Sequence, residues 1–168
     1  MSYHRLQVCL NQKKQSMAKQ KDKYVKNLSV RNKRAAFEYF FLDKYTAGIV
    51  LRGTEIKAMR LGKFNMEDAY CLFNEAGELI IRNLHIPEYE MGNIHNHQPK
   101  ADRKLLLTKR ELKKLQNGLK DVGLTIVPTH IFINDRGLLK VEIALAKGKK
   151  LYDKRETIKE RDLKRSMD

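Results

Sequence analysis

Few groups in this chain are able to do covalent chemistry. His95-Asn96-His97, with His85 upstream, is the one histidine cluster, and alternate histidines on an extended segment can share a metal ion. They lie between Gly92 and Pro99 in a polar stretch with no cysteine nearby, which favours a solvated or RNA-facing loop over a metal site. Glu67 and Asp68 are adjacent, so on a strand their carboxylates point to opposite faces and form no acid–base pair. Gly62-Lys63 is followed by Phe64 rather than Ser or Thr, and Gly48, Gly53 and Gly62 are scattered, so the spacing of a phosphate-cradling loop is missing. Cys9 and Cys71 are far apart, which supports neither a disulfide framework nor a thiolate zinc site; both are read as reduced, with Cys71 in the core. No catalytic residue, metal or cofactor is expected.

Cations carry the stronger signal. Thirty-five Lys and Arg against 20 Asp and Glu leave a formal charge of +15. Lys100, Arg103, Lys104, Lys109, Arg110, Lys113 and Lys114 crowd around one predicted helix, while Arg31, Lys33, Arg34, Arg52, Lys57, Arg60 and Lys63 lie around the first predicted strands. Such groups release condensed counterions when they meet a phosphate polymer, which makes a nucleic acid the expected partner. Tyrosines among the charges add stacking and favour irregular RNA over duplex. Tyr39, Tyr70 and Tyr152 are the candidates, with Tyr39 and Tyr70 fitting equally well a core position whose hydroxyl reaches the rim.

The elements that must position these groups are mostly strands. Phe37, Tyr39 and Phe41 alternate; Thr46 to Leu51 follows a break at Asp43-Lys44; Leu124 to Ile133 is β-branched, and Leu138 to Ile143 alternates. Asn74-Glu75-Ala76-Gly77 joins Ala69–Phe73 to Glu78–Ile86 as a hairpin, and Asn134-Asp135-Arg136-Gly137 joins the last two strands. Thr108 and Glu111 form a capping box before a helix with Leu112, Leu115, Leu119 and Val122 on one stripe and Gly123 as its stop. A shorter helix from Thr54 to Leu61, capped by Thr54 and stopped by Gly62, would bury Ile56 and Met59. The helices do not alternate with strands, which excludes a parallel βαβ sheet. The expected fold is mainly β: an OB-like antiparallel barrel of about six strands with two or three inserted helices.

Charge divides the chain into three. Residues 1–26 carry +6, residues 27–146 carry +5 and residues 147–168 carry +4. The first segment has too little apolar surface to offset ordering and is read as a disordered basic extension. Within it, Met17-Ala18-Lys19 resembles a fresh N-terminus, with the preceding residues an upstream extension. Residues 27–146 form the barrel. Residues 147–168 form a basic tail without a core of its own, frayed alone and folding to a helix on a partner. No apolar run reaches the ~18 residues of a membrane span and no secretory h-region precedes the barrel, so a cytoplasmic protein with no membrane partner is expected.

Several ordered blocks together resemble a known family. Asn32-Lys33-Arg34-Ala35, Ala47-Gly48-Ile49-Val50-Leu51, Gly53-Thr54-Glu55-Ile56-Lys57, Arg60-Leu61-Gly62-Lys63, Arg103-Lys104-Leu105-Leu106-Leu107, Ile143 to Lys150, Asp153-Lys154-Arg155 and Ile158 to Asp162 closely resemble the small protein B, or SsrA-binding protein, family. The match runs in order from about Asn27 to Asp162. It implies a bacterial, non-enzymatic RNA-binding protein of trans-translation whose barrel holds the tRNA-like domain of tmRNA and delivers it to stalled ribosomes. RNA contact is then expected at Asn32, Arg34, Tyr39, Glu55, Lys57, Arg60, Lys63, Arg103, Lys104 and Leu106. The tail would enter the small-subunit decoding region and the empty mRNA channel through Lys147, Lys149, Lys150, Tyr152, Asp153, Lys154, Arg155, Ile158, Lys159, Glu160 and Arg161. Elongation factor Tu joins through aminoacylated tmRNA, and the protein itself is expected to be a monomer. Two positions depart from the family pattern: Thr46 stands where many members have an acidic residue, and Ala101 where a basic one is common. The tail after Asp162 is short. A structural ribosomal or ribosome-assembly protein holding ribosomal RNA is the alternative reading.

Overall fold

The computed structural model describes residues 28–92, 96–150, 152–155, 158–159 and 162–163. Among them are seven strands, β1 (Ser29–Arg31), β2 (Tyr39–Ile49), β3 (Tyr70–Phe73), β4 (Leu79–Arg82), β5 (Arg103–Leu106), β6 (Leu124–Ile133) and β7 (Leu139–Gly148), and three barrel helices, α1 (Lys33–Glu38), α2 (Gly53–Arg60) and α3 (Lys109–Gly118). Six strands close a ring in the order β6-β3-β4-β5-β2-β7 and back to β6, every neighbour antiparallel. Closure leaves no long edge to template aggregation. On its edge towards β3, β6 pairs with that strand near Ile126 and with the added strand β1 at His130 to Phe132.

Both expected hairpins form by the same device. The Asn74 side chain accepts the Glu78 amide at 2.8 Å and Asn134 accepts the Leu138 amide at 2.8 Å. Gly77 and Gly137 supply the left-handed residue at φ 73° and 76°, a conformation that costs an L side chain but not glycine. Inside the ring, Leu79, Ile81, Ile126, Ile131, Val141 and Ile143 are buried, with α2 contributing Met59 and α3 contributing Leu115. A smaller layer lies outside it, where Ala35 of α1 meets Val127, Ala146, Tyr39 and Phe41.

Four sequence expectations are corrected here. Phe37 belongs to α1 rather than to a strand, because Asn32 caps a turn that Ala35 and Ala36 favour. The break at Asp43-Lys44 is a bulge inside one long β2, between Phe41 and Asp43. α2 begins at Gly53, with the Arg52 amide donating to Glu55 at 2.7 Å, while the hydroxyl of Thr54 is engaged elsewhere; Ile56 is only partly buried. α3 keeps its Thr108–Glu111 box but ends at Gly118, so Val122 is 100% exposed. Gly118 permits close packing there: a Cβ would stand 2.6 Å from Leu145 Cδ2.

Candidate RNA-binding surface

Two of the expected RNA contacts point inwards. Arg103 on β5 donates from Nε to Glu55 of α2 at 2.9 Å, and the two side chains are 2% and 4% exposed. Its remaining donors go to the carbonyls of Leu84, Ala101, Pro99 and, at 3.5 Å, Gln98. Burying a charge is tolerable only when it is paired and its donors are satisfied, and this pair meets both conditions. Arg103 and Glu55 therefore clamp α2 to the segment between β4 and β5 and have no surface for a phosphate. Asn32 is corrected in the same way: Oδ1 accepts the Ala35 amide at 2.9 Å, and Nδ2 donates to the carbonyls of Met66 and Pro128 at 2.9 and 3.2 Å. His97, expected in an open loop, is buried with Nδ1 2.9 Å from the Thr54 hydroxyl and Nε2 3.1 Å from the Ile86 carbonyl. An acceptor-only carbonyl requires Nε2–H as donor. His95 lies outside the described residues.

Arg34 and Tyr39 come together at an open cleft of about 310 Å³ beside α1, lined also by Glu38, Glu67, Asp68 and Tyr70. Arg34 donates to Glu38 at 3.0 Å and to Asp68 at 2.6 Å. The hydrogen bond to Glu38 and the charge of Asp68 hold its guanidinium still more firmly protonated. With three carboxylates to one cation, the cleft suits N–H donors such as base edges better than phosphate. Tyr70 sits beside it and also bonds Arg82, which binds Asp102 through two nitrogens.

The other expected contacts are spread over the rim. Lys57 stands 5.5 Å from the Tyr89 ring centroid, and Arg60 donates to the Gly137 carbonyl at 3.0 Å. Lys63 pairs with Glu90 and Lys104 with Glu78 at the surface. Hydrogen bonding from Lys104 holds the Glu78 carboxyl below its ordinary range. Exposed pairs contribute little, so both lysines can exchange a carboxylate for a phosphate. Leu106 is 52% exposed on the outer wall. Among the described residues, the six ion pairs use none of Arg31, Lys33, Lys44 or Lys140, nor Lys109, Arg110, Lys113 and Lys114 along α3. Apart from Lys114, whose charge acts on the Glu111 carboxylate, these cations form the stronger electrostatic surface. Alternation along the strands signals Lys140, which the basic clusters leave out, since it lies between inward Leu139 and Val141.

The tail begins inside the barrel wall. Lys147 is a β7 residue opposite Phe40 and Leu124 rather than part of a separate segment. Lys149 donates its amide to the Glu38 backbone carbonyl at 2.8 Å and places Nζ 4.9 Å from the Phe40 ring centroid. Asp153 then caps the next turn, accepting the Lys150 amide at 3.0 Å. Residues 152–155, 158–159 and 162–163 are helical, with Tyr152, Arg155, Ile158, Lys159 and Leu163 all exposed. Among the described residues of these turns, none is buried. Lys154 lies within the first turn, while Glu160 and Arg161 fall outside the described residues.

The SmpB protein family model matches residues 29–168. An SsrA-binding protein of Bacteroides thetaiotaomicron is 56% identical over 141 residues, covering 84% of this chain and 93% of that protein. One of Cytophaga hutchinsonii is 57% identical over 143 residues, 85% and 93% of the two chains. One of Thermosipho africanus is 52% identical over 136 residues, 81% and 91%. Among solved structures, a chain from "tmRNA-SmpB: a journey to the center of the bacterial ribosome" superposes with a TM-score of 0.62 at 45% identity, covering 73% of this chain and 85% of that one. Since the family match begins at the first residue of β1 and runs through every barrel element into the tail, this chain belongs to the SmpB protein family.

Proposed function

We propose that this protein binds the tRNA-like domain of tmRNA through its barrel and delivers it to stalled ribosomes, where incomplete chains are released and tagged. Its relatives' name as SsrA-binding proteins supports this reading, and so does the solved tmRNA–SmpB relative. The single observation that carries it in this chain is the division of labour in the charge. Arg103 and Glu55 are spent on the fold, while Arg31, Lys33, Lys44, Lys140 and, on α3, Lys109 and Lys113 make no ion pair among the described residues and offer phosphate contacts. Each phosphate neutralised releases counterions, so affinity falls steeply with salt.

The tail acts as the second arm, entering the decoding region and empty mRNA channel of the small subunit. Lys154, Arg155 and Lys159 supply cations, and the exposed Ile158 supplies apolar surface that can be buried there. Elongation factor Tu reaches the complex through aminoacylated tmRNA. The protein binds and positions RNA as a cytoplasmic monomer without a cofactor; transfer of the peptide belongs to the ribosome. No helix among the described residues is long and apolar enough to cross a membrane.

The deciding experiment pairs two assays on the full chain and on a chain truncated after Gly148. Gel-shift titration with transcribed tRNA-like domain in matched salt should give similar affinity for both. A reconstituted rescue assay should tag stalled chains only with the full chain. Loss of RNA binding on truncation, with circular dichroism unchanged, would overturn the division proposed.

A further inference from the structure

The outer wall of the barrel is not chemically uniform. Across β3, β4 and β5 its charged groups are tied to one another, Arg82 to Asp102 and Lys104 to Glu78. Across β1, β6 and β7 no ion pair forms among the described residues. There the register sets Arg31 opposite His130 and Ser29 opposite Phe132 on one side of β6, and Glu142 opposite His130 and Lys140 opposite Phe132 on the other. Residues directly opposite in antiparallel strands share a face, and this is the outer one, because Ile131 and Val141 between them are fully buried inside.

On that face the rings of His130 and Phe132 are stacked, with centroids 5.0 Å apart and planes inclined by 23°. The Ser29 hydroxyl lies 2.8 Å from His130 Nε2 and fixes the imidazole. Glu142 is held by the Thr129 hydroxyl at 3.1 Å. Arg31 and Lys140 flank the rings without an ion-pair partner among the described residues. Beyond Lys140 the next position across the sheet is Gly48, which has no side chain, and then exposed Leu106. The Leu106 side chain lies over Gly48, its Cβ 3.4 Å from where a Gly48 Cβ would stand, so that apolar surface continues beyond Lys140 alongside the ring stack.

We infer that this face, centred on His130 and Phe132, is a stacking site for an unpaired nucleobase of RNA. The base extends the existing ring stack, its flanking phosphates meet Arg31 and Lys140, and Glu142 is placed to accept from an exocyclic amine or ring N–H. Two cations against one carboxylate suit a strand that brings a charge with each nucleotide. A duplex presents no free base face and meets only the phosphate-binding cations. The inference deepens the tmRNA reading by naming which part of a structured RNA, an unpaired loop base, this wall takes.

The test uses the full chain with three RNAs: transcribed tRNA-like domain, an unstructured oligonucleotide carrying 2-aminopurine, and a duplex of equal length. His130→Ala and Phe132→Leu should each weaken binding of the first two by roughly 5- to 150-fold, the range of one base–aromatic stack, and abolish the quenching of 2-aminopurine. Duplex binding and the salt slope should be unchanged, and Phe132→Tyr should retain affinity. Arg31→Gln with Lys140→Gln should instead flatten the slope, by roughly 0.7 to 0.9 for each phosphate no longer neutralised. Wild-type affinity and quenching in Phe132→Leu would overturn the inference, as would equal losses on duplex and unpaired RNA, whether or not the tRNA-like domain is still preferred. Ring-dependent quenching of the oligonucleotide without preference for the tRNA-like domain would uphold the stacking site while refuting the tmRNA reading.

Discussion

Replacing Arg103 by Ala separates a structural arginine from an RNA-binding one. Glu55 would keep its place at the start of α2, where its Oε2 accepts the Arg52 amide at 2.7 Å, but Oε1 would lose its partner in a site where the side chain is 4% exposed. The carbonyls of Leu84, Ala101 and Pro99 would lose a shared donor as well. Removing one member of a buried ion pair costs about 3–5 kcal/mol, since the remaining charge is left uncompensated. With a urea m-value of about 2 kcal/mol/M for a domain of this size, the midpoint should fall by roughly 1.5 to 2.5 M. Arg103→Met combined with Glu55→Gln should recover part of that loss, because no lone carboxylate remains and the amide oxygen of Gln can still receive the Arg52 amide. Urea unfolding followed by circular dichroism measures both shifts. The salt slope of RNA binding, taken on folded protein, should be the same for wild type and either variant. An unchanged midpoint together with a slope flattened by roughly 0.9 would refute the assignment and return Arg103 to the RNA surface.

Other consequences are equally concrete. Asn32→Ala removes the cap of α1 and two bonds that tie it to the Met66 and Pro128 carbonyls, so stability should fall by about 1–3 kcal/mol, with amide exchange accelerating first in residues 33–38. Ile158→Pro costs about 3 kcal/mol of any helix formed there; the variant should bind tmRNA normally in a gel shift and tag stalled chains poorly. Glu78, Asp102 and Glu111 have carboxyls held low chiefly by hydrogen bonds from Lys104, Arg82 and Thr108 respectively. A depressed folded pKa means stability present above the ordinary carboxylate range and lost as pH falls through the depressed values, so the urea midpoint should decline on acidification, and less so in Asp102→Asn.

Local chemistry is legible where the cause lies within a few residues. Thr108 and Glu111 announce α3, and Asn74 with Gly77 and Asn134 with Gly137 announce both hairpins, since each device closes over three or four positions. The tail's basic, polar make-up is also plain from composition, and among its described residues Tyr152, Ile158 and Leu163 are exposed. The family blocks could be read from residue order without any structure. What residue order does not disclose is which polar group in a block faces water. Glu55 and Arg103 are 48 positions apart, and Asn32 and Pro128 are 96 apart; a tally of charges treats each as exposed. Only ring closure brings α2 against the segment before β5, and β6 under α1, turning two of the best candidate RNA contacts into a buried ion pair and a third into a helix cap. The same closure, with β1 added to β6, gathers Arg31, His130, Phe132 and Lys140 from three strands onto one wall. Such neighbours are created by long-range register, and register is decided by which faces the whole barrel must bury.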